Sequence, residues 1–163
     1  MAEILSDERR VLMPSLDNAC LIRWASADDA ARIGAIARAA YAKYIARMGR
    51  EPAPMAADFA AEIAANHVVV IESGGVIVGY MIAWSETDAY FIDNIAIDPA
   101  RQGEGLGRQL IDHAIGEARH FHLSAIQPYT NVTMAENLSC MPISGLLKRI
   151  VRWRRGSIVF ISV

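Results

Sequence analysis

Cysteine is scarce in this chain, with two residues, Cys20 and Cys140, among 163. They lie far apart and match no metal-ligand spacing, so neither a disulfide scaffold nor a zinc module is indicated. We therefore expect a reducing, cytoplasmic location and interpret Cys20 as a small buried apolar residue. We also expect no metal site at the four histidines, which are His67, His113, His120 and His122.

Long hydrophobic runs and an excess of positive charge are also missing. No apolar segment approaches the roughly 18 residues of a membrane span, and residues 1–18 lack the basic and apolar segments of a signal peptide. The net charge of −2 gives no broad basic surface, so we expect neither a membrane nor a nucleic-acid partner. We predict an N-terminal extension over residues 1–18 and a single domain over residues 19–163.

The apolar pattern switches between strand and helix periodicity along the chain. Helical patterns begin at residues 27–29 and end near Gly49, occupy residues 55–66, and start again at Leu106. Strands are predicted at residues 20–24, 67–73, 75–85, 89–97 and 124–130, and a short helix at 133–136. Two further runs, 147–153 and 157–163, predict a terminal hairpin whose exposed edge favours a homodimer. This order predicts one mixed α/β sheet.

The segment after the fourth strand carries the most specific motif. Its apolar run ends at Asp98-Pro99, and a helical pattern begins at residue 106. The first amides of a helix lack intrahelical partners, and glycines let an anion approach them, so the turn predicts a phosphate site. The alternative is a tight turn that binds nothing. The glycines are Gly103, Gly105 and Gly107, flanked by Arg101 and Arg108.

The spacing of these glycines argues against two common nucleotide motifs. A dinucleotide site needs G-x-G-x-x-G and a P-loop needs G-K-[ST], and residues 103–109 contain neither. The pattern that fits is Q-x-x-G-x-G at residues 102–107, preceded by a strand that ends in Asp-Pro. These residues resemble the acyl-CoA-binding motif of the GNAT superfamily of N-acetyltransferases. The resemblance extends over residues 21–137.

The resemblance implies an α/β fold with a mixed, mostly antiparallel central sheet, flanking helices and a V-shaped opening for acyl-CoA. It implies acetyl-CoA as co-substrate, with the pyrophosphate on main-chain amides of the turn. It also implies that the fourth strand pairs with the pantetheine arm as an added strand would. The cofactor-binding residues expected on this basis are Ile95, Ala96, Ile97, Gln102, Gly103, Glu104, Gly105, Leu106, Gly107, Arg108, Asn131 and Asn137.

Acetyl transfer to an amine needs a base, a donor for the oxyanion and a proton for the leaving thiolate. Asp93 is the predicted base, because the family places a carboxylate on the fourth strand; a solvated carboxylate without a role is the alternative. Because side chains alternate along a strand, we predict that Asn94 points to the face opposite Asp93, so that only one of the two faces the cleft. The resemblance implies that the first two helices form one wall of the acceptor site. The residues that line this wall, or that belong simply to the core, are Tyr41, Tyr44, Met48 and Met55.

The C-terminal segment departs from the family pattern. Met141 stands where many relatives carry a tyrosine that protonates the thiolate, and a thioether cannot donate a proton. Beyond Leu138 the chain has basic residues and no acidic ones. Common codons for residues 145–161, read one base upstream, can encode a sequence that resembles the ordinary GNAT ending. We therefore hypothesise that the tail is an out-of-frame version of that ending.

The leading interpretation is an acetyl-CoA-dependent N-acetyltransferase that acts by direct transfer on a primary amine of a small molecule or peptide. A catalytically impaired acyl-CoA-binding member of the same fold is the second interpretation, favoured by Met141 and the altered tail. A nucleotide-binding regulatory module is the third, favoured only by the glycine-rich turn. The sequence does not identify the acceptor.

Overall fold

One sheet organises the chain. The computed structural model describes residues 20–128, 151–154 and 157–161. The β4–β5 pair is parallel and the other pairs are antiparallel, which confirms the predicted mixed, mostly antiparallel sheet. The spatial order is β1-β2-β3-β4-β5-β7-β6. The strands are β1 (Cys20–Trp24), β2 (Val68–Ser73), β3 (Val76–Ser85), β4 (Ala89–Ile97), β5 (Ala125–Pro128), β6 (Val151–Arg154) and β7 (Ser157–Ile161).

The described helices are α1 (Ala30–Met48), α2 (Phe59–Ala64) and α3 (Leu106–His120), with short 3₁₀ turns at Ala27–Asp29, Ala53–Ala56 and Pro99–Arg101. The prediction of one helix over residues 55–66 is wrong in extent. Asp58 interrupts it, because its side chain accepts the amide of Ala61 at 3.1 Å and so caps a new helix. None of the helices in the described part of the chain is long and apolar enough to cross a bilayer.

Two apolar cores lie on opposite faces of the sheet. Successive side chains of β3 enter alternate cores, which explains why its sequence is apolar almost throughout. Cys20 packs at the margin of the second core and is partly exposed, not buried as predicted. The α1 face holds chiefly Ile33, Ile36, Ala37, Tyr41, Tyr44, Phe59, Val70, Tyr80, Ile82 and Ala96. The α3 face holds chiefly Ile71, Val78, Met81, Tyr90, Ile92, Leu106, Leu110, Ala114 and Ala118.

Strand β4 contains a bulge at Asp93. Asn94 pairs with Ile82 and Ile92 pairs with the next residue of β3, so Asp93 has no opposite residue. Ile92 packs in the α3-face core before the bulge, and Ile95 packs against the same core after it. Asp93 and Asn94 therefore both lie on the α1 side. The prediction that they point to opposite faces is wrong, because the extra residue interrupts the alternation.

The predicted terminal hairpin is confirmed where the structure describes it. β6 pairs with β7, and β7 pairs with β5 through Ala125–Ile161 and Ile126–Phe160. The N-terminal extension, the helix predicted at 133–136 and the end of the fifth strand after Pro128 lie outside the described residues. The homodimer remains a prediction.

Candidate active site

The glycine-rich turn joins β4 to α3. Gly103 and Gly105 have φ angles of 87° and 78°, a left-handed conformation that costs glycine little. A Cβ at either position would meet nothing within 4 Å, so the turn borders open space. The amide of Gln109 bonds to the carbonyl of Gly105 at 3.1 Å. The amides of Leu106 and Gly107 precede that bond and have no backbone acceptor within the described residues, so they are available to an anion.

The arginine side chains at the turn are engaged by neighbouring acceptors. Arg101 donates to both carboxylate oxygens of Glu104, at 2.7 Å each, and to the Ser73 hydroxyl at 3.2 Å. Arg108 Nε lies 3.7 Å from a carboxylate oxygen of Asp112. The sequence led us to expect both arginines to add positive charge for the phosphate. Since the carboxylates offset that charge, main-chain amides and the helix dipole are the principal anion-attracting features of the turn.

A salt bridge fixes the junction between β4 and the turn. Arg32 Nη2 lies 2.7 Å from Asp98 Oδ2, and Arg32 Nε donates to the carbonyl of Ile77 at 3.0 Å. The other carboxylate oxygen of Asp98 accepts the amide of Ala100 at 3.0 Å. That amide, helped by Arg32, holds the pKa of Asp98 below its usual range. Sequence reasoning missed Arg32, because an arginine on an amphipathic helix carries no signal of a partner 66 residues away.

Beyond the bulge, the main-chain N–H and C=O groups of β4 face β3 at alternate residues and face away from it at the others. The amide of Asp98 donates to the carbonyl of Val78 at 2.8 Å. Since bonded and non-bonded pairs alternate in antiparallel strands, Ile95 and Ile97 turn their N–H and C=O groups away from β3. The described pairing with β5 covers only residues 89–92 of β4. The main-chain groups of Ile95 and Ile97 thus lie beyond it, as a pantetheine contact would require.

Side-chain donors reach the carbonyls of both residues. The Tyr41 hydroxyl lies 3.0 Å from the carbonyl oxygen of Ile95, and Gln102 Nε2 donates to the carbonyl of Ile97 at 3.3 Å. Gln102, expected to bind the cofactor, therefore also ties the turn back to the strand. The side chains of Ile95 and Ile97 pack against the α3-face core, and that of Ala96 is buried on the α1 face.

Asp93 is exposed at the bulge, and its pKa is raised above the ordinary range. Partial shielding of the carboxyl group from water is the main cause, and the charge of Glu62 adds to it. Glu62 Oε2 lies 2.9 Å from His67 Nδ1. A raised pKa suits a carboxylate that must take a proton near neutral pH.

A row of aromatic rings lies on the same face as Asp93. The ring centroids of His67 and Trp84 are 5.0 Å apart, and those of Trp84 and Phe91 are 5.9 Å apart with nearly parallel planes. Phe91 precedes Asp93 by two positions on β4, before the bulge. The sequence analysis did not single out these rings, although aromatic residues at cross-strand positions are a usual sign of packing.

The four residues expected to line the acceptor wall are buried or partly buried in the described structure. Tyr41 and Tyr44 are 4% and 1% exposed, so they belong to the α1-face core, and Met48 and Met55 pack against it partly buried. Asn131, Asn137 and Met141 lie outside the described residues. Among the residues that are described, no group of three or more His, Cys, Asp or Glu side chains could hold a metal ion.

The sequence matches a known protein family. The model of the Acetyltransferase (GNAT) family matches residues 21–140, which is more than half of the 163 residues. The chain belongs to the GNAT family. This is a family of acetyltransferases, and members of the fold are solved with coenzyme A or acetyl-CoA.

One curated relative and two solved structures illustrate the similarity. The N-alpha-acetyltransferase RimI of Mycobacterium tuberculosis is 38% identical over 78 residues, 44% of this chain and 49% of the relative, so the match spans about half of that protein. A PaiA N-acetyltransferase of Thermoplasma acidophilum, solved with coenzyme A, has a TM-score of 0.70 at 11% identity, with 86% of this chain and 96% of that chain covered. The ribosomal-protein-S18-alanine N-acetyltransferase of Escherichia coli has a TM-score of 0.61 at 18% identity, with coverage of 88% and 90%. Both structures share the fold.

Proposed function

We propose that this GNAT-family protein transfers the acetyl group of acetyl-CoA to a primary amine of a peptide or small molecule, directly within a ternary complex. The observation that carries the proposal is the bulge in β4, which leaves the carboxyl group of Asp93 two residues from the outward-facing amide of Ile95. A base and an oxyanion donor on one short segment can act on the two reactants of the same step.

The proposed step needs no covalent enzyme intermediate. Asp93 takes a proton from the acceptor ammonium, directly or through a water molecule. The neutral nitrogen then bonds to the thioester carbonyl carbon, while the Ile95 amide donates to the oxygen that gains negative charge. The C–S bond breaks as the carbonyl re-forms, and the nitrogen gives its remaining extra proton to water. The thiolate takes a proton from water, because Met141 has none to give.

The surroundings of Asp93 favour a positively charged acceptor. Glu62 adds a second carboxylate, and the stacked rings of Trp84 and Phe91 provide faces that attract a cation. The similarity to proteins named as an N-alpha-acetyltransferase and a ribosomal-protein-S18-alanine N-acetyltransferase supports the α-amine of a peptide over an amine of a small molecule.

A second candidate is an acyl-CoA-binding protein with little or no transferase activity. Met141 favours it, since a slow protonation of the thiolate would reduce turnover without affecting binding. Both candidates require the turn at Gly103 and Gly105 to hold the CoA pyrophosphate.

One experiment separates the two candidates. Thiol release from acetyl-CoA would be measured over a panel of amines that includes peptides with free N-termini, the same peptides acetylated, and small mono- and diamines. Amine-dependent thiol release supports the transferase. Thermal stabilisation by acetyl-CoA with no thiol release from any amine supports the binding protein, and stabilisation by ATP or NAD in place of acetyl-CoA contradicts both.

A further inference from the structure

The hydroxyl group of Tyr41 touches both residues that flank the Ile95 amide. It lies 2.8 Å from Asn94 Oδ1 and 3.0 Å from the carbonyl oxygen of Ile95. Asn94 is 3% exposed and Tyr41 is 4% exposed, so water does not compete for these contacts. A tyrosine hydroxyl has one proton and cannot fully satisfy two acceptors at once.

Two buried polar atoms nearby show how the conflict is resolved. Asn94 Nδ2 and the Tyr80 hydroxyl have no hydrogen-bond partner within the described residues. The nitrogen and oxygen of a side-chain amide are assigned from the bonds that they make. With Nδ2 turned toward Tyr41, the amide donates to the Tyr41 oxygen, and the single Tyr41 proton is left for the carbonyl of Ile95.

In this orientation the hydrogen bonds run one way. Asn94 donates to the Tyr41 oxygen, and Tyr41 donates to the carbonyl of Ile95. The amide polarises the tyrosine hydroxyl and so strengthens its bond to the carbonyl. The bulge at Asp93 is what turns Asn94 inward, so that the chain of hydrogen bonds can form.

We propose that Tyr41 is a positioning residue, which fixes the peptide groups around Ile95 so that its amide points at the co-substrate. The Ile95 carbonyl is engaged by Tyr41 and the Ile97 carbonyl by Gln102, so the direction of both peptide groups is fixed. The Ile95 amide can then donate to a thioester oxygen, while each carbonyl keeps a second lone pair for an amide of the pantetheine arm. The inference rests on the proposed function, and it assigns to the α1-face core a part in aligning the acetyl group.

The test compares two ligands and four variants. CoA uses both the turn and β4, whereas adenosine 3′-phosphate 5′-diphosphate, which keeps the pyrophosphate and lacks the pantetheine arm, uses only the turn. Tyr41→Phe is expected to weaken CoA binding about fivefold, the value of one hydrogen bond, and to leave binding of the diphosphate unchanged. For acetyl transfer, kcat should fall more than the KM of the amine rises.

Graded effects distinguish positioning from general damage. The loss should be largest for Tyr41→Phe, smaller for Asn94→Leu, which acts through Tyr41, and smallest for Tyr80→Phe, whose hydroxyl makes no hydrogen bond among the described residues. Tyr90→Phe, a buried tyrosine of the other core, is the control and should change nothing. Equal losses for CoA and the diphosphate, another order among the variants, or unchanged kcat and CoA affinity in Tyr41→Phe would overturn the proposal.

Failure of the proposed function would look different. A wild-type protein that releases no thiol with any amine but binds CoA refutes the transferase, and the comparison of CoA with the diphosphate still tests Tyr41. If Tyr41→Phe does not fold, the remaining two variants carry the same prediction.

Discussion

Arg32 and Asp98 join the first helix to the start of the glycine-rich turn, since Arg32 Nη2 lies 2.7 Å from Asp98 Oδ2. The arginine comes from α1, and the aspartate is the residue directly after β4. Because Asp98 also caps the 3₁₀ turn through Ala100, one carboxylate sets both the position of the helix and the direction in which the chain enters the glycine-rich turn.

This carboxylate should make stability depend on acid. The pKa of Asp98 is lowered in the folded protein, so its contribution is complete above the unfolded value of about 4 and is lost as the pH falls through the folded value. Asp98→Ala should cost about 1 kcal/mol of unfolding free energy at pH 7, and less at pH 3. Urea unfolding at both pH values measures this, with Asp28→Asn as an exposed control. A difference that is the same at both pH values would contradict the linkage.

Gly105→Asp should abolish CoA binding in a protein that still folds. The new side chain would place a negative charge among the amides of the turn, and the φ of 78° would add strain. Gly49→Asp is the matched control, since Gly49 has a φ of 64° and the same open surroundings at the end of α1. Calorimetry with CoA should show binding in the control only. Unchanged affinity in Gly105→Asp would remove the turn from the binding site.

Asp93→Asn should separate activity from stability. The folded pKa of Asp93 is raised, so ionisation of this carboxyl group costs more in the folded protein than in the unfolded chain, and its contribution to stability falls as the pH rises through the folded pKa. The neutral amide should leave the melting temperature unchanged or higher at pH 7, while kcat falls by about 100-fold, as for loss of a general base. Acetyl-CoA affinity should be retained.

The pH profile supplies the check on Asp93. Wild-type turnover should decline as the pH falls through the raised pKa, and that limb should be absent in Asp93→Asn. Asp88→Asn, at the exposed turn before β4, should behave as wild type. Normal turnover of Asp93→Asn across the pH range would exclude Asp93 as the base.

Gly79→Ala should destabilise the fold where β3 meets the end of β4. A Cβ at this position would overlap Ile97 Cδ1 and lie 3.0 Å from the carbonyl oxygen of Ala96. Overpacking of this kind costs about 1–3 kcal/mol, which denaturant unfolding can measure. Gly116→Ala on α3 is the control, because its Cβ would meet nothing within 4 Å. CoA affinity should fall in Gly79→Ala, since Ile97 must shift.

The terminal hairpin gives a prediction for the edge of the sheet. Amides of β7 lie between β5 and β6 and should exchange slowly with solvent, whereas β6 has one paired edge. Hydrogen exchange measured across a dilution series tests whether a second chain covers β6. Fast exchange throughout β7 would contradict the pairing.

The hypothesis that the tail is out of frame has a separate test, which is sequencing of the codons for residues 137–145.

Much of this architecture could be predicted because its signals are local. The first strand, the helix end at Gly49 and the turn at residues 103–107 depend on periodicity and on glycine conformations that the sequence displays. Asp93 was a candidate, but the direction of Asn94 was predicted wrongly. A bulge depends on how β3 and β4 pair, and neither strand contains a glycine or proline at that point to mark it.

The contacts that shape the site are long-range, and this is why sequence reasoning missed them. Arg32 meets Asp98 across 66 positions and Tyr41 meets Asn94 across 53. Each residue looks ordinary on its own helix face, since a tyrosine in an apolar stripe is usually core. Tyr41 is indeed a core residue, and its proposed role comes from the contacts of its hydroxyl group with Asn94 and the carbonyl of Ile95.

The extra residue at Asp93 also bears on how sequences of relatives should be aligned through this strand. Deleting one residue anywhere between 95 and 97 would exchange the two faces of everything that follows up to the turn. Deleting the bulge residue itself would restore regular pairing with β3, at the expense of the carboxylate. A deletion of a single residue is therefore tolerable at the bulge only, and an alignment gap placed further along the strand would match residues from opposite sides of the sheet.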